Sequence, residues 1–147
     1  MKTCIIYDTI RGSTLYFAKW IKDELEKSGI ETDVKKVNEV DSFNYDLFII
    51  GSPIYWERPL KSVISFLDNH KLELKDKKIA IFIVCIAQMF GKPTERYIKI
   101  HYLRPLEKRV SNLIIESGIF KGWLKNPNFN EREKVKNWAG KLISLVK

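Results

Sequence analysis

Residues 8–14 read Asp-Thr-Ile-Arg-Gly-Ser-Thr, a set of side chains suited to holding an anion. Thr9, Ser13 and Thr14 offer three hydroxyls, and Gly12 lets the backbone turn tightly and approach a ligand. If a helix starts here, its first amides point outward with partial positive charge. Hydroxyls and amides together can then satisfy a phosphate dianion without a lysine. The same Ser13 or Thr14 hydroxyl would also serve as an ordinary N-cap. A second stretch, residues 51–59, reads GSPIYWERP. Gly51 and Ser52 permit close backbone approach and Pro53 stiffens the chain. Tyr55 and Trp56 place two large rings where no core requires them. Beside an anion site, such rings suit a flat aromatic ligand with a phosphate tail, and inward packing of one ring is the alternative.

Other chemistry is excluded by inspection. The chain has no GxxxxGK[ST] and no GxGxxG, which removes a nucleotide hydrolase and argues against a dinucleotide fold. The two cysteines, Cys4 and Cys85, lie inside apolar runs, and the two histidines, His70 and His101, are isolated, so no metal-site spacing exists. No side chain stands out as acid, base or nucleophile. The net charge of +8 favours anionic partners or describes a solvated basic surface. Its cations are spread along the chain rather than gathered in a stripe, which argues against a nucleic-acid binder.

These loops need a frame that brings them together. At 147 residues one domain, 1–147, is expected, burying roughly 70% of its unfolded surface. Residues 2–8, 46–52 and 78–87 are continuous apolar runs, as in strands buried on both faces. Residues 31–37 form a more polar edge strand, and 112–118 the last strand. Between them, Leu15, Ala18, Ile21 and Leu25 recur at helical spacing, with Gly29 as the stop. Pro59 stands as a first helical residue before Leu60, Val63, Ile64 and Leu67. Residues 93–104 are helical, with Pro105 expected to end or kink the segment. The last helix carries Val135, Trp138, Ala139, Leu142, Ile143 and Val146 on one face, with Asn130 and Glu133 as its capping pair. The alternation predicts an α/β, doubly wound five-stranded parallel sheet of order 2-1-3-4-5. Its switch point lies between the first and third strands, where the two loops sit.

At these residues the chain resembles the short-chain, flavodoxin-like proteins that bind FMN. They carry S/T-x-T-G-x-T in the first loop, and residues 9–14 match at Thr9, Gly12 and Thr14, with Arg11 in place of the usual hydroxyl. The resemblance implies that Thr9, Ile10, Arg11, Gly12, Ser13 and Thr14 hold the FMN phosphate, and that Ser52, Pro53, Ile54, Tyr55 and Trp56 line the ring. It maps a third loop to residues 86–92, where Ala87, Gln88, Met89 and Phe90 meet the pyrimidine edge, Phe90 as a ring and Gln88 as a hydrogen-bonding partner. The implied function is electron transfer through the flavin, in the cytoplasm, with a redox protein, quinone or small molecule as donor or acceptor.

The chain departs from that family in three ways. Electron-shuttle flavodoxins are acidic, and this chain is basic. Their ring loop usually holds a glycine whose peptide inverts on reduction, and residues 52–59 contain none. Arg58, Lys61, Lys92 and Arg96 replace acids around the ring, which predicts a less negative second reduction potential. A basic member also resembles the quinone-linked, flavodoxin-type protoporphyrinogen oxidases, whose basic face could meet propionates or an anionic membrane surface. Residues 93–109, with Tyr97, Ile98, Tyr102 and Leu103 among cations, offer such a face, or an ordinary amphipathic cover helix. A receiver domain shares the sheet order, but the third strand ends in IIGS, without the acid that phosphotransfer needs.

Overall fold

A computed structural model describes residues 1–85, 95–110, 114–123 and 126–147. Five strands run parallel: β1 (Lys2–Tyr7), β2 (Glu31–Lys36), β3 (Leu47–Tyr55), β5 (Lys78–Cys85) and β6 (Ile114–Lys121). Their order, β2-β1-β3-β5-β6, is the expected one, and a two-residue strand β4 (Arg58–Pro59) folds back antiparallel on β3 as a sixth. The short return was not legible because it depends on a partner rather than on apolar periodicity.

Alternation along the strands sends side chains to two cores. Ile5, Ile49, Phe82 and Val84 meet α1 (Ser13–Lys27) and α6 (Glu131–Val146) on one face. Ile6, Ile50, Ile81 and Ile83 meet α2 (Lys61–Asn69), α3 (Lys71–Leu74) and the helical segment 95–107 on the other. Helix α1 ends as expected at Gly29, whose φ of 81° a side chain would resist. Gly29 N–H donates to Glu26 O and Ile30 N–H to Leu25 O, both at 3.0 Å, which closes the helix end.

Two local expectations are corrected, and of the two outcomes expected at Pro105 the ending of the helix is not the one found. Pro59 is not helical; it pairs with Ile54 in β4, and α2 starts at Lys61. Asn130 precedes α6 without a side-chain capping bond, and Glu131 instead turns away to accept the Lys121 amide at 2.6 Å. Pro105 does not end its helix. The segment runs as α4 (Glu95–Ile98), a wide π turn (Lys99–Leu103) and α5 (Arg104–Glu107), with Pro105 inside α5. The wide turn sits directly before the proline, where the helical hydrogen-bond ladder must adjust. Ile98, Tyr102, Leu103 and Leu106 of this segment are buried, so its apolar side covers the sheet, while Glu95, Arg96, Lys99, Ile100, His101 and Arg104 face water. Among the described residues no helix is long and apolar enough to cross a membrane.

Candidate functional site at the carboxyl ends of β1 and β3

The first loop leaves β1 at Tyr7, beside Gly51 of β3, and enters α1 at Ser13. Its shape is set internally. Asp8 Oδ1 accepts the Thr9 amide at 2.8 Å, and Thr9 Oγ1 accepts the Gly12 amide at 2.9 Å. Asp8 Oδ2 accepts the Ser62 hydroxyl at 2.6 Å, tying the loop to α2. Gly12 stands at φ 93°, ψ −13° as the residue before the helix, and no side chain caps α1. The N-cap alternative for Ser13 and Thr14 is therefore not used. Both are buried inside the first turn, and the Thr14 hydroxyl has no hydrogen-bond partner. A buried hydroxyl without a partner is costly. Here it stands at the start of an uncapped fifteen-residue helix, where amides and dipole attract negative charge.

Residues 51–59 are a hairpin rather than a loop. Strand β3 extends to Tyr55 because Ser52, Pro53 and Ile54 continue in register with Ile83, Val84 and Cys85. Gly51 does not admit a ligand: a β-carbon there would stand 2.1 Å from the Phe82 ring, which fills the space. The Ser52 hydroxyl donates to Pro53 O at 2.8 Å and accepts the Leu60 amide at 3.0 Å, so it fixes the hairpin's return rather than facing outward. Pro53 and Ile54 are likewise buried in the strand.

The two rings separate as the alternative anticipated. Tyr55 is half-buried, and its buried hydroxyl has no partner in hydrogen-bond geometry. Burial pushes the Tyr55 phenol up, and the nearby Arg11 guanidinium pulls it partly back. Trp56 is 91% exposed and Ile10, on the facing loop, 61%. Trp56 and Glu57 turn the hairpin at φ 50° and 63°, a left-handed pair that costs non-glycine residues about 1 kcal/mol or more each. Arg11, Arg58, Lys61 and Arg96 are exposed. Ala87, Gln88, Met89 and Phe90 of the third loop, and Lys92, lie outside the described residues.

Sequence reasoning missed the contact of Asp8 with Ser62 and the contacts of Glu57, whose carboxylate accepts the hydroxyls of Tyr97 and Tyr102. Tyr102 is pushed up to about 12, chiefly by burial and then by Glu57. The only sequence signal was the five-residue spacing of the tyrosines, which has no meaning in a regular α-helix.

The two orphaned hydroxyls, Thr14 on the anion-attracting helix end and Tyr55 next in the chain to the exposed Trp56, fit a phosphate ester with an aromatic head. Comparisons with known proteins agree. An uncharacterized protein of Methanocaldococcus jannaschii is 33% identical over 152 residues, covering 97% of this chain and 99% of the relative. Protoporphyrinogen IX dehydrogenase [quinone] of Escherichia coli (strain K12) is 29% identical over 99 residues, 65% of this chain but 54% of the relative. The chain thus spans about half the length of that curated relative. Among solved structures, oxidised flavodoxin 1 from Bacillus cereus superposes with a TM-score of 0.74 at 19% identity, covering 100% of both chains. Residues 4–139 match the flavodoxin domain family, an FMN-binding, electron-transferring fold, and this chain belongs to it.

Proposed function

We propose that this chain holds FMN between the first loop and the β3–β4 hairpin and passes electrons through its exposed edge to an anionic partner. The observation that carries the reading is the Thr14 hydroxyl, buried and unpartnered at the uncapped start of α1. Thr9, Ile10, Arg11, Gly12, Ser13 and Thr14 form the phosphate end. The α1 amides and the Thr14 hydroxyl donate to the ester oxygens, and Arg11 adds charge from the rim. Tyr55 and Trp56 flank the ring, while Ser52, Pro53 and Ile54 act from behind as the rigid strand that carries them. Residues 87–90 complete the ring site by resemblance. Bound FMN supplies one- and two-electron transfer, and the protein supplies position and electrostatics.

The cations Arg11, Arg58, Lys61 and Arg96 favour an acidic redox protein or an anionic small molecule. A second reading, quinone-linked protoporphyrinogen oxidation, is favoured by the similarity to the Escherichia coli dehydrogenase and by this basic rim. Titrating the flavin-free chain with FMN and with riboflavin tests the main reading. Uptake of FMN at micromolar concentration or below, with riboflavin bound at least tenfold more weakly, supports it. A chain that takes up neither refutes it. Anaerobic mixing of the loaded protein with protoporphyrinogen and with a menaquinone analogue then separates carrier from oxidase.

A further inference from the structure

The hairpin tip is strained, exposed and carries the large, outward-facing ring of Trp56, yet no glycine relieves it. Something must hold it. Trp56 and Glu57 both occupy left-handed backbone, and the Glu57 carboxylate receives two hydroxyls from a different part of the chain. Tyr97 Oη donates to Glu57 Oε2 at 2.8 Å, and Tyr102 Oη donates to Oε1 at 3.2 Å. Both oxygens are thus engaged, one per tyrosine.

The π turn explains how two such tyrosines converge. In an α-helix, residues five apart point about 140° away from each other around the axis, so Tyr97 and Tyr102 could not share one carboxylate. A turn closed by i to i+5 hydrogen bonds brings such residues nearly one above the other. The wide turn spans Lys99–Leu103, starting two residues after Tyr97 and containing Tyr102, and the two tyrosine rings meet edge to face at 5.7 Å. Tyr102 is anchored in the core at 7% exposure, and Tyr97 stacks on His101 at 4.2 Å. The acceptor is therefore gripped by rings that are themselves held.

We propose that Glu57, Tyr97 and Tyr102 form a latch: the π turn of residues 99–103 clamps the Glu57 carboxylate and so holds Trp56 in its strained, outward pose against the ring end of the site. Glu57, Tyr97 and Tyr102 are positioning residues. They act on the flavin through Trp56, and this role rests on the function proposed above. The latch itself is a property of the flavin-free chain. Because it acts on the ring end and not on the phosphate end, it contributes equally to FMN and to riboflavin.

The test combines Tyr97→Phe, Tyr102→Phe and the double variant with Glu57→Gln, which keeps one acceptor oxygen. In the flavin-free protein, the indole ¹H–¹⁵N signal of Trp56, assigned with Trp56→Phe, reports ring mobility. The double variant is expected to lower its heteronuclear NOE to the level of a mobile side chain. Urea unfolding identifies any variant that fails to fold, and the half-buried site of Tyr97→Phe makes that single variant readable even if the double is lost. In flavin titrations the double variant weakens FMN and riboflavin by the same factor, on the order of tenfold, mainly through faster dissociation. Glu57→Gln falls between wild type and double variant. If the indole signal of the folded variants matches wild type, the latch is wrong. A loss confined to FMN would also overturn it, because the effect would then lie at the phosphate end. If the wild-type chain binds no flavin at all, the functional reading fails, while the indole measurement still decides whether the latch exists.

Discussion

Replacing Thr14 by valine should move binding and stability in opposite directions, and the two magnitudes follow from one atom. In the flavin-free chain the Thr14 hydroxyl is buried without a partner, a situation that costs ~1–3 kcal/mol. Valine has nearly the same shape and no polar atom, and its helix propensity is close to that of threonine. Thr14→Val is therefore expected to raise the unfolding free energy of the flavin-free protein by about 1 kcal/mol. That corresponds to a Tm gain of about 2–4 °C for a chain of this size, or a higher urea midpoint at unchanged slope. In the proposed complex the hydroxyl would donate to a phosphate oxygen of FMN, and hydrogen bonds to charged groups contribute ~1.5–3 kcal/mol. The same variant should then bind FMN roughly 10- to 150-fold more weakly. Riboflavin, which lacks the phosphate, should bind the variant and the wild type alike. Flavin fluorescence quenching gives the affinities and circular dichroism in urea gives the stability. A variant that loses stability without flavin, or keeps FMN affinity within threefold, would show that the hydroxyl is satisfied within the chain and that the phosphate sits elsewhere.

Three further outcomes follow from other parts of the molecule. Gly51→Ala should destabilise the fold by ~1–3 kcal/mol or more, because its β-carbon would enter the Phe82 ring at 2.1 Å; adding Phe82→Leu should recover part of the loss in urea unfolding. The Arg58→Glu, Lys61→Glu pair should slow electron exchange with an acidic ferredoxin at least tenfold at low ionic strength, with the difference vanishing near ~1 M salt. In the same pair, potentiometry should find the second flavin potential tens of millivolts more negative, since a charge at 4 Å contributes ~1 kcal/mol in water and ~1.4 kcal/mol corresponds to ~59 mV. Burial pushes the Cys4 and Cys85 thiols up from 9.0 to about 11. The folded state therefore keeps those protons longer than the unfolded chain, so the stability they contribute is intact below about pH 9 and falls as pH rises from 9 to 11. Urea midpoints across that window should decline less in Cys4→Ala, and iodoacetamide at pH 8 should label neither thiol without denaturant.

The frame was legible in the sequence because it rests on short-range pattern. Apolar runs such as residues 46–52 and 78–87 announce strands buried on both faces, and Leu15, Ala18, Ile21 and Leu25 announce the helix that follows the first loop. Their alternation limits the sheet to few orders, and that order alone places residues 8–14 beside the end of β3. The first loop was readable for the same reason: its hydroxyls, glycine and helix start are consecutive in the chain.

The β3–β4 hairpin was not, because its parts are distant neighbours. Gly51 looked like room for a ligand, and only the register of β3 against β5 shows Phe82 filling that room. Ser52 looked like a ligand contact, yet its hydroxyl is consumed by Leu60 and Pro53 once β4 folds back. The contacts of Glu57 could not be read from its surroundings in the chain, since they depend on two tyrosines some forty residues later and on a helical turn one residue wider than the pattern predicts. Local periodicity encodes which face of an element is buried, and consecutive polar groups encode a loop. Which side chains converge on one atom depends on strand register and helix phase, and those are settled only when the cores on both faces of the sheet close.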